Sequence, residues 1–311
     1  MKFLLLLALT LPQLALATKD VIYGDDNRLD TYEVKDATLL KLAAATAGMI
    51  PVAAFTEGKK ENFYDLKTTK THGQVENLCT SEKFESQIVA PMCSGFLVAP
   101  DVIVTAGHCF KMVGETEKVC KNFAWVFDYK MTSAKSDPTK NLSNENIYRC
   151  KEVISVALTD TMDYAVIKLN RKVTGRTPVA YRKTGKVDNS SSLVVIGHPS
   201  GLPQKISPNG KVTKNTLPTT FATTLDTFHG NSGSAVFDAA TGTVEGILIQ
   251  GKTDYVPSIP SNPKSCKVVN KCQDDGKTCP SSKESGPVSQ GEVVLRITTI
   301  GKFIDQAILA K

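Results

Sequence analysis

From Gln87 onward the chain is cut into short apolar, β-branched runs by Gly, Pro, Asn and Asp, and this interruption restricts its fold more than any other feature. The first set comprises Phe96-Leu97-Val98, Val102-Ile103-Val104, Phe123 to Phe127, Val153-Ile154 and Tyr164 to Leu169. A second set follows the polar stretch Lys183 to Ser192, with Leu193 to Ile196, Lys211-Val212, Ser234 to Phe237, Val244 to Ile249 and Val293 to Ile297. Bounded by turn formers, such runs read as strands of an antiparallel barrel or sandwich. Two sets imply an all-β chain of two similar lobes, the first over residues 87–185 and the second over 186–311.

The parts outside these sets read differently. Residues 18–86 form a mixed leading segment whose apolar run Ala37 to Phe55 reads as a short helix, or a helix then a strand. Residues 252–290 are rich in Pro, Ser and Lys and carry three cysteines, a composition that buries too little apolar surface to order itself without crosslinks, so a stapled surface loop is expected. Between Thr299 and Leu309 the residues Ile300, Phe303, Ile304, Ala307 and Ile308 share one helical face, which predicts a terminal helix docked on the second lobe.

Residues 1–17 combine a basic start, a leucine-rich stretch and Ala15-Leu16-Ala17, the pattern of a signal peptide cleaved after Ala17. The apolar run falls short of the ~20 residues that a membrane-spanning helix needs, so the expected product is an exported, extracytoplasmic protein, secreted or periplasmic, without a membrane anchor. All eight cysteines lie beyond that cleavage point, and an even count in an exported chain favours disulfides. Zinc is a weak alternative at Cys266, Cys272 and Cys279, because no pair has the two-residue spacing of a tetrahedral site. The formal net charge is +6, but Lys and Arg are interspersed with acids, so nucleic acid is not an expected partner. The densest basic stretch, Lys205 to Lys214, is broken by Pro208 and Gly210 and reads as a solvated loop.

Three short stretches carry chemistry. Thr105-Ala106-Gly107-His108-Cys109 closes an apolar strand, and a disulfide from Cys109 to Cys93, sixteen positions earlier, would fix the backbone around His108. Asp163 leads directly into Tyr164-Ala165-Val166-Ile167-Lys168-Leu169, which carries an acid to the edge of a buried strand; Asp160 has no such run behind it and reads as a turn residue. Gly230-Asn231-Ser232-Gly233-Ser234 opens the strand Ala235-Val236-Phe237, and a tight glycine turn there can aim the Gly230 and Ser232 N–H groups at one oxyanion. The order His, Asp, Ser differs from the Ser, Asp, His of α/β-hydrolases and the Asp, His, Ser of subtilisins.

TAGHC, DYAVIKL and GNSGSAVF together resemble the three signature blocks of chymotrypsin-like serine peptidases, over roughly residues 87 to 305. Gly197-His198-Pro199, Asp226-Thr227-Phe228-His229-Gly230 and Val21 to Arg28 are most similar to the bacterial glutamyl endopeptidase branch. The resemblance implies two antiparallel β-barrel lobes, Ser232 as nucleophile, His108 as general base, Asp163 as its orienting acid, and a protein or peptide substrate paired along Ile249-Gln250-Gly251. No metal or organic cofactor is implied, and a monomer is expected. It also implies a specificity pocket at Asp226, Thr227, Leu248 and Gly251, and trimming of the stub 18–20 so that the Val21 amino group lies near that pocket.

Two departures bear on mechanism. Asn231 replaces the aspartate whose charge pairs with the freed amino terminus in trypsin-type enzymes, so that mode of activation is expected to be absent. Leu248 replaces the histidine that helps bind glutamate in the glutamyl branch, while Asp226 sits where trypsin-like enzymes hold an acid for Arg or Lys, which leaves glutamate and basic preferences open. The expected function is a secreted serine endopeptidase; the alternatives are a catalytically silent binding protein on the same fold and an esterase using the same triad.

Overall fold

The computed structural model describes residues 21–111, 113–279 and 286–310; the signal segment 1–17 and the stub 18–20 lie outside them. Two six-stranded antiparallel barrels account for most of the strands. In the first, Ile147–Leu158, Asp163–Leu169, Val102–Thr105, Cys93–Ala99, Thr46–Pro51 and Phe123–Phe127 pair in that order and close on themselves. In the second, Ser192–Gly197, Ala235–Asp238, Val244–Gln250, Glu292–Arg296, Thr220–Thr223 and Lys205–Lys214 form the ring, closed by pairing of the last with the first.

Side-chain alternation along each strand explains how one chain fills both barrels and the seam between them. Successive residues of a strand face opposite ways. Leu193, Val195, Val236, Leu248 and Val294 pack with Phe221 and Leu225 in a cluster confined to the second lobe. Their neighbours Val194, Ile196, Ala235, Phe237 and Ile247 join the large cluster that continues through Phe96, Ile103, Trp125 and Ile167 of the first barrel. On Phe123–Phe127 the inward pair is Trp125 and Phe127, whereas Ala124 and Val126 face a separate cluster with Ile50, Tyr129 and Leu142.

The leading segment is woven into both lobes. Asp36 caps the helix Ala37–Ala44 by accepting from the N–H groups of Thr38 (2.7 Å) and Leu39 (3.1 Å), and Thr46–Pro51 then completes the first barrel, which thus begins upstream of Gln87. Ile22–Tyr23 runs parallel to Lys271–Cys272, and Leu29–Asp30 adds to the edge of the second barrel at Lys205–Ile206.

Two expectations need correction. Lys205–Lys214 is a bulged strand of the second barrel rather than a solvated loop. Its first residue turns inward, where the Lys205 ammonium donates to Asp30 Oδ1 (2.5 Å), Gln87 Oε1 (2.7 Å) and the Pro203 carbonyl (2.9 Å). The terminal helix, Gly301–Leu309, docks on the first lobe instead of the second. The buried Lys168 of that lobe donates to the Ala307 (3.0 Å) and Ala310 (2.8 Å) carbonyls, placing a cation at the negative end of the helix, and Phe303 stacks on Tyr164 at 5.3 Å.

Four disulfides staple the fold: Cys79–Cys266, Cys93–Cys109, Cys120–Cys150 and Cys272–Cys279. The loop 252–290 is held by two of them and by a hairpin of Tyr255–Pro257 with Lys267–Val269.

Because Lys205 and Asp30 are both buried, removing one partner strands a charge in the interior. Asp30→Ala is expected to lower unfolding stability by about 3–5 kcal/mol, measured by chemical denaturation, with Asp30→Asn showing a smaller loss because it keeps an acceptor for the ammonium.

Candidate active site

His108 sits where the strand Val102–Thr105 gives way to the short helix His108–Lys111. Only glycine permits the chain to pass there: a Cβ on Gly107 would lie 1.9 Å from the Ala157 carbonyl oxygen and 2.8 Å from that of Tyr164. The Cys93–Cys109 bridge anchors the other side of the histidine. Asp163, the first residue of its strand, binds His108 twice. Its Oδ1 accepts the His108 backbone N–H at 2.9 Å, and its Oδ2 lies 2.7 Å from Nδ1. An ionised carboxylate is an acceptor only, so the proton of a neutral imidazole resides on Nδ1 and the lone pair on Nε2. Nε2 is buried without a hydrogen-bond partner.

Ser232 is delivered by the second lobe on a turn with Gly230 at φ 86° and Gly233 at φ 87°. A Cβ on Gly233 would meet Thr105 Oγ1 at 2.1 Å and the Ser94 carbonyl at 2.2 Å, so the turn presses against the first barrel as closely as backbone allows. Ser94 holds it there. The Ser94 N–H donates to the Ser232 carbonyl (2.9 Å), its hydroxyl donates to the Gly230 carbonyl (2.8 Å), and the same hydroxyl accepts from the His198 N–H (2.9 Å). Further bonds run from Asn231 N–H to the Phe228 carbonyl (2.9 Å), from Gly233 N–H to that of Leu248 (2.8 Å), and from Ser234 N–H to that of Asn231 (2.8 Å). Among the described residues, neither the Gly230 nor the Ser232 N–H donates to a protein acceptor.

These pieces open into one cleft of about 180 Å³, lined by His108, Ser232, Gly230 and His229 together with Met49, Met92, Val113 and the Cys93–Cys109 bridge. Among the described residues, the one group of three potential metal ligands is Cys93, His108 and Cys109, and its two sulfurs are bonded to each other.

The structure gives the expected pocket residues other partners. Asp226 is buried, and its oxygens accept from the N–H groups of Tyr23 and Asn27, each at 2.8 Å. Burial pushes its carboxyl up to about 7, against the two N–H bonds that favour ionisation. Thr227 Oγ1 donates to Glu292 Oε2 (2.5 Å), Glu292 Oε1 accepts from the Tyr23 hydroxyl (2.9 Å), Leu248 lies in the apolar core of the second lobe, and Gly251 is buried just after the strand. Ser94, Glu292, Glu76 and Asp254 escaped sequence reasoning, since no local pattern distinguishes them from ordinary polar residues.

His198 is linked to the Ser232 turn through the Ser94 hydroxyl, and its Nδ1 lies 3.0 Å from the Leu202 carbonyl. Burial holds it neutral, down to about 4, against the pull of that carbonyl.

Residues 93–247 match the family described as the trypsin-like peptidase domain, and this part of the chain belongs to that family; the two chymotrypsin-like barrels extend beyond it to take in Thr46–Pro51 and Glu292–Arg296. Among solved structures, the chain is similar to a Glu endopeptidase in complex with MPD, at 16% identity over 92% of this chain and 99% of the other, with a TM-score of 0.49. It is also similar to a protease from M. tuberculosis in its active form, at 10% identity over 95% and 93% of the two chains, with a TM-score of 0.45. A serine endoprotease from Yersinia pestis aligns at 12% identity over 87% of this chain and 65% of the other, with a TM-score of 0.45. No curated protein sequence matches the chain.

Two outcomes are expected. Asp226→Asn loosens residues 23–27, read as faster amide exchange, because the carboxyl group binds the backbone N–H groups of Tyr23 and Asn27. The unfolded chain takes up a proton at His198 near 6.5 and the folded one only at about 4, so its contribution to stability is present above 6.5 and lost as pH falls between these values. Thermal melts of His198→Gln should show a flatter decline over that window than wild type.

Proposed function

We propose that this chain is a secreted serine endopeptidase that hydrolyses peptide bonds through an acyl-enzyme. The observation that carries this reading is the His108–Asp163 pair, whose Nε2 has no hydrogen-bond partner, in a residue that lines the same cleft as Ser232. His108 Nε2 takes the hydroxyl proton as Ser232 Oγ attacks the carbonyl carbon; the carbonyl electrons move to oxygen, where the Gly230 and Ser232 N–H groups receive the negative charge. The imidazolium then protonates the leaving amine, the acyl-enzyme forms, and water repeats the sequence to release the acid. Asp163 stabilises the imidazolium and fixes its orientation through both oxygens.

Export rests on the signal-like residues 1–17, and the four disulfides fit folding in an oxidising compartment. Among the described residues no helix is long and apolar enough to cross a membrane. The N–H bonds to Asp226 argue against its serving as the partner of a basic substrate side chain, so residue preference is assigned to neither carboxylates nor cations on its account.

The mature protein should cleave casein and label at Ser232 with a fluorophosphonate, while Ser232→Ala abolishes both. Asp163→Asn should reduce kcat by ~10⁴-fold with the fold intact. Labelling of Ser232 with turnover of esters but no peptide would make the chain an esterase; absence of labelling in the folded, fully processed protein would make it a binding protein.

A further inference from the structure

His229, immediately before the oxyanion donor Gly230, is gripped by two carboxylates brought from distant parts of the chain. Asp254 Oδ2 lies 2.5 Å from His229 Nδ1 and also accepts the His229 backbone N–H at 3.3 Å; Glu76 Oε1 lies 3.3 Å from Nε2. Burial opposes the charge on this imidazole, but the two carboxylates outweigh it and hold the imidazolium up to about 10. With both ring nitrogens donating to acids, the side chain is fixed in one rotamer.

The backbone of the same residue is fixed from the opposite side. The His229 carbonyl accepts the Ser200 N–H at 2.5 Å. Ser200 stands at φ 52° in a turn, and its hydroxyl lies 2.6 Å from the Tyr255 hydroxyl, itself 2.6 Å from His72 Nε2. The His229 carbonyl and the Gly230 N–H belong to one planar trans peptide and point in opposite directions. Holding the carbonyl toward Ser200 therefore aims the N–H away from it, on the side of the cleft.

We infer that Glu76, Asp254 and Ser200 are positioning residues of the oxyanion hole, which lock the His229–Gly230 peptide in the orientation that stabilises the tetrahedral intermediate. The inference rests on Ser232 being the acylating nucleophile. The two acids come from the helix His72–Glu76 and from the cysteine-bearing loop, and the Cys79–Cys266 bridge, 187 positions apart, ties these two elements together. The leading segment and the loop thus act on the peptide rather than on the triad.

The test uses the mature enzyme and its Asp254→Asn and Glu76→Gln variants, compared in peptide turnover and in the binding of a peptide aldehyde and the corresponding alcohol. The aldehyde forms a hemiacetal with Ser232 whose oxygen occupies the oxyanion position; the alcohol does not. Asp254→Asn is expected to reduce kcat by at least ~10-fold, within the ~10²–10³-fold cost of losing an oxyanion donor, with KM within about twofold. Aldehyde affinity should fall by a similar factor and alcohol affinity should hold. Glu76→Gln, a milder change at a partly exposed acid, should show the same pattern at smaller size and carries the test if Asp254→Asn misfolds. A raised KM at unchanged kcat, equal weakening of aldehyde and alcohol, or unaltered kinetics in both variants overturns the inference while leaving the peptidase intact. A folded wild-type protein that neither labels at Ser232 nor cleaves peptides overturns the peptidase reading, and this inference with it.

Discussion

The hydrogen bonds of Ser94 are the constraint on which the arrangement of the cleft depends. His108 and Asp163 belong to one barrel and Ser232 to the other, so their relative placement is only as good as the fit between lobes. Ser94 lies on a first-barrel strand, yet its N–H and hydroxyl engage Ser232, Gly230 and His198 of the second lobe, and its carbonyl accepts Thr105 Oγ1 at 2.6 Å. One small residue sets the position of the Ser232 turn against the strand that leads to His108. Its hydroxyl is both donor and acceptor, a duty that no apolar replacement of similar size can perform. The apolar seam supplies the adhesion, and these directional bonds supply the register.

Much of this was legible in the sequence because it is local. A strand ending at His108, an acid opening a strand at Asp163 and a glycine turn around Ser232 each announce themselves within a few residues, and the interrupted β-branched runs foretell two barrels. What stayed hidden depends on tertiary partners. Lys205 looks like a surface lysine until Asp30 and Gln87, distant in sequence, enclose it. The terminal helix has an apolar face that fits either lobe, and the choice falls to Lys168 and Tyr164, whose strand offers a cation and a ring. Asp226 reads as a pocket acid by position, and nothing near it in sequence announces that it accepts from the N–H groups of Tyr23 and Asn27.

Buried charge is used here for placement. Lys205, Arg28, Asp226, Glu292 and Asp254 are each less than a tenth exposed, and each binds segments far apart in sequence. Arg28 pairs with Asp26 and lies over the Phe228 ring at 4.1 Å, which draws the leading segment onto the chain just before His229. Such groups add little net stability when compared with well-packed apolar residues, but their bonds are directional and tolerate few alternative arrangements. Around this cleft they specify where loops lie.

The long separation between Cys79 and Cys266 has a consequence for the order of assembly. The first barrel and the Ser232 turn depend on residues up to about 250, all synthesised before the second cysteine emerges. The grip on His229 needs positions 76, 229 and 254, and the covalent tie across it closes a loop of 187 residues, a slow event for a chain to find by diffusion. Because the second barrel needs Glu292–Arg296, which follow Cys266 in the chain, that barrel and the covalent tie beside Gly230 are both completed by the C-terminal part of the polypeptide.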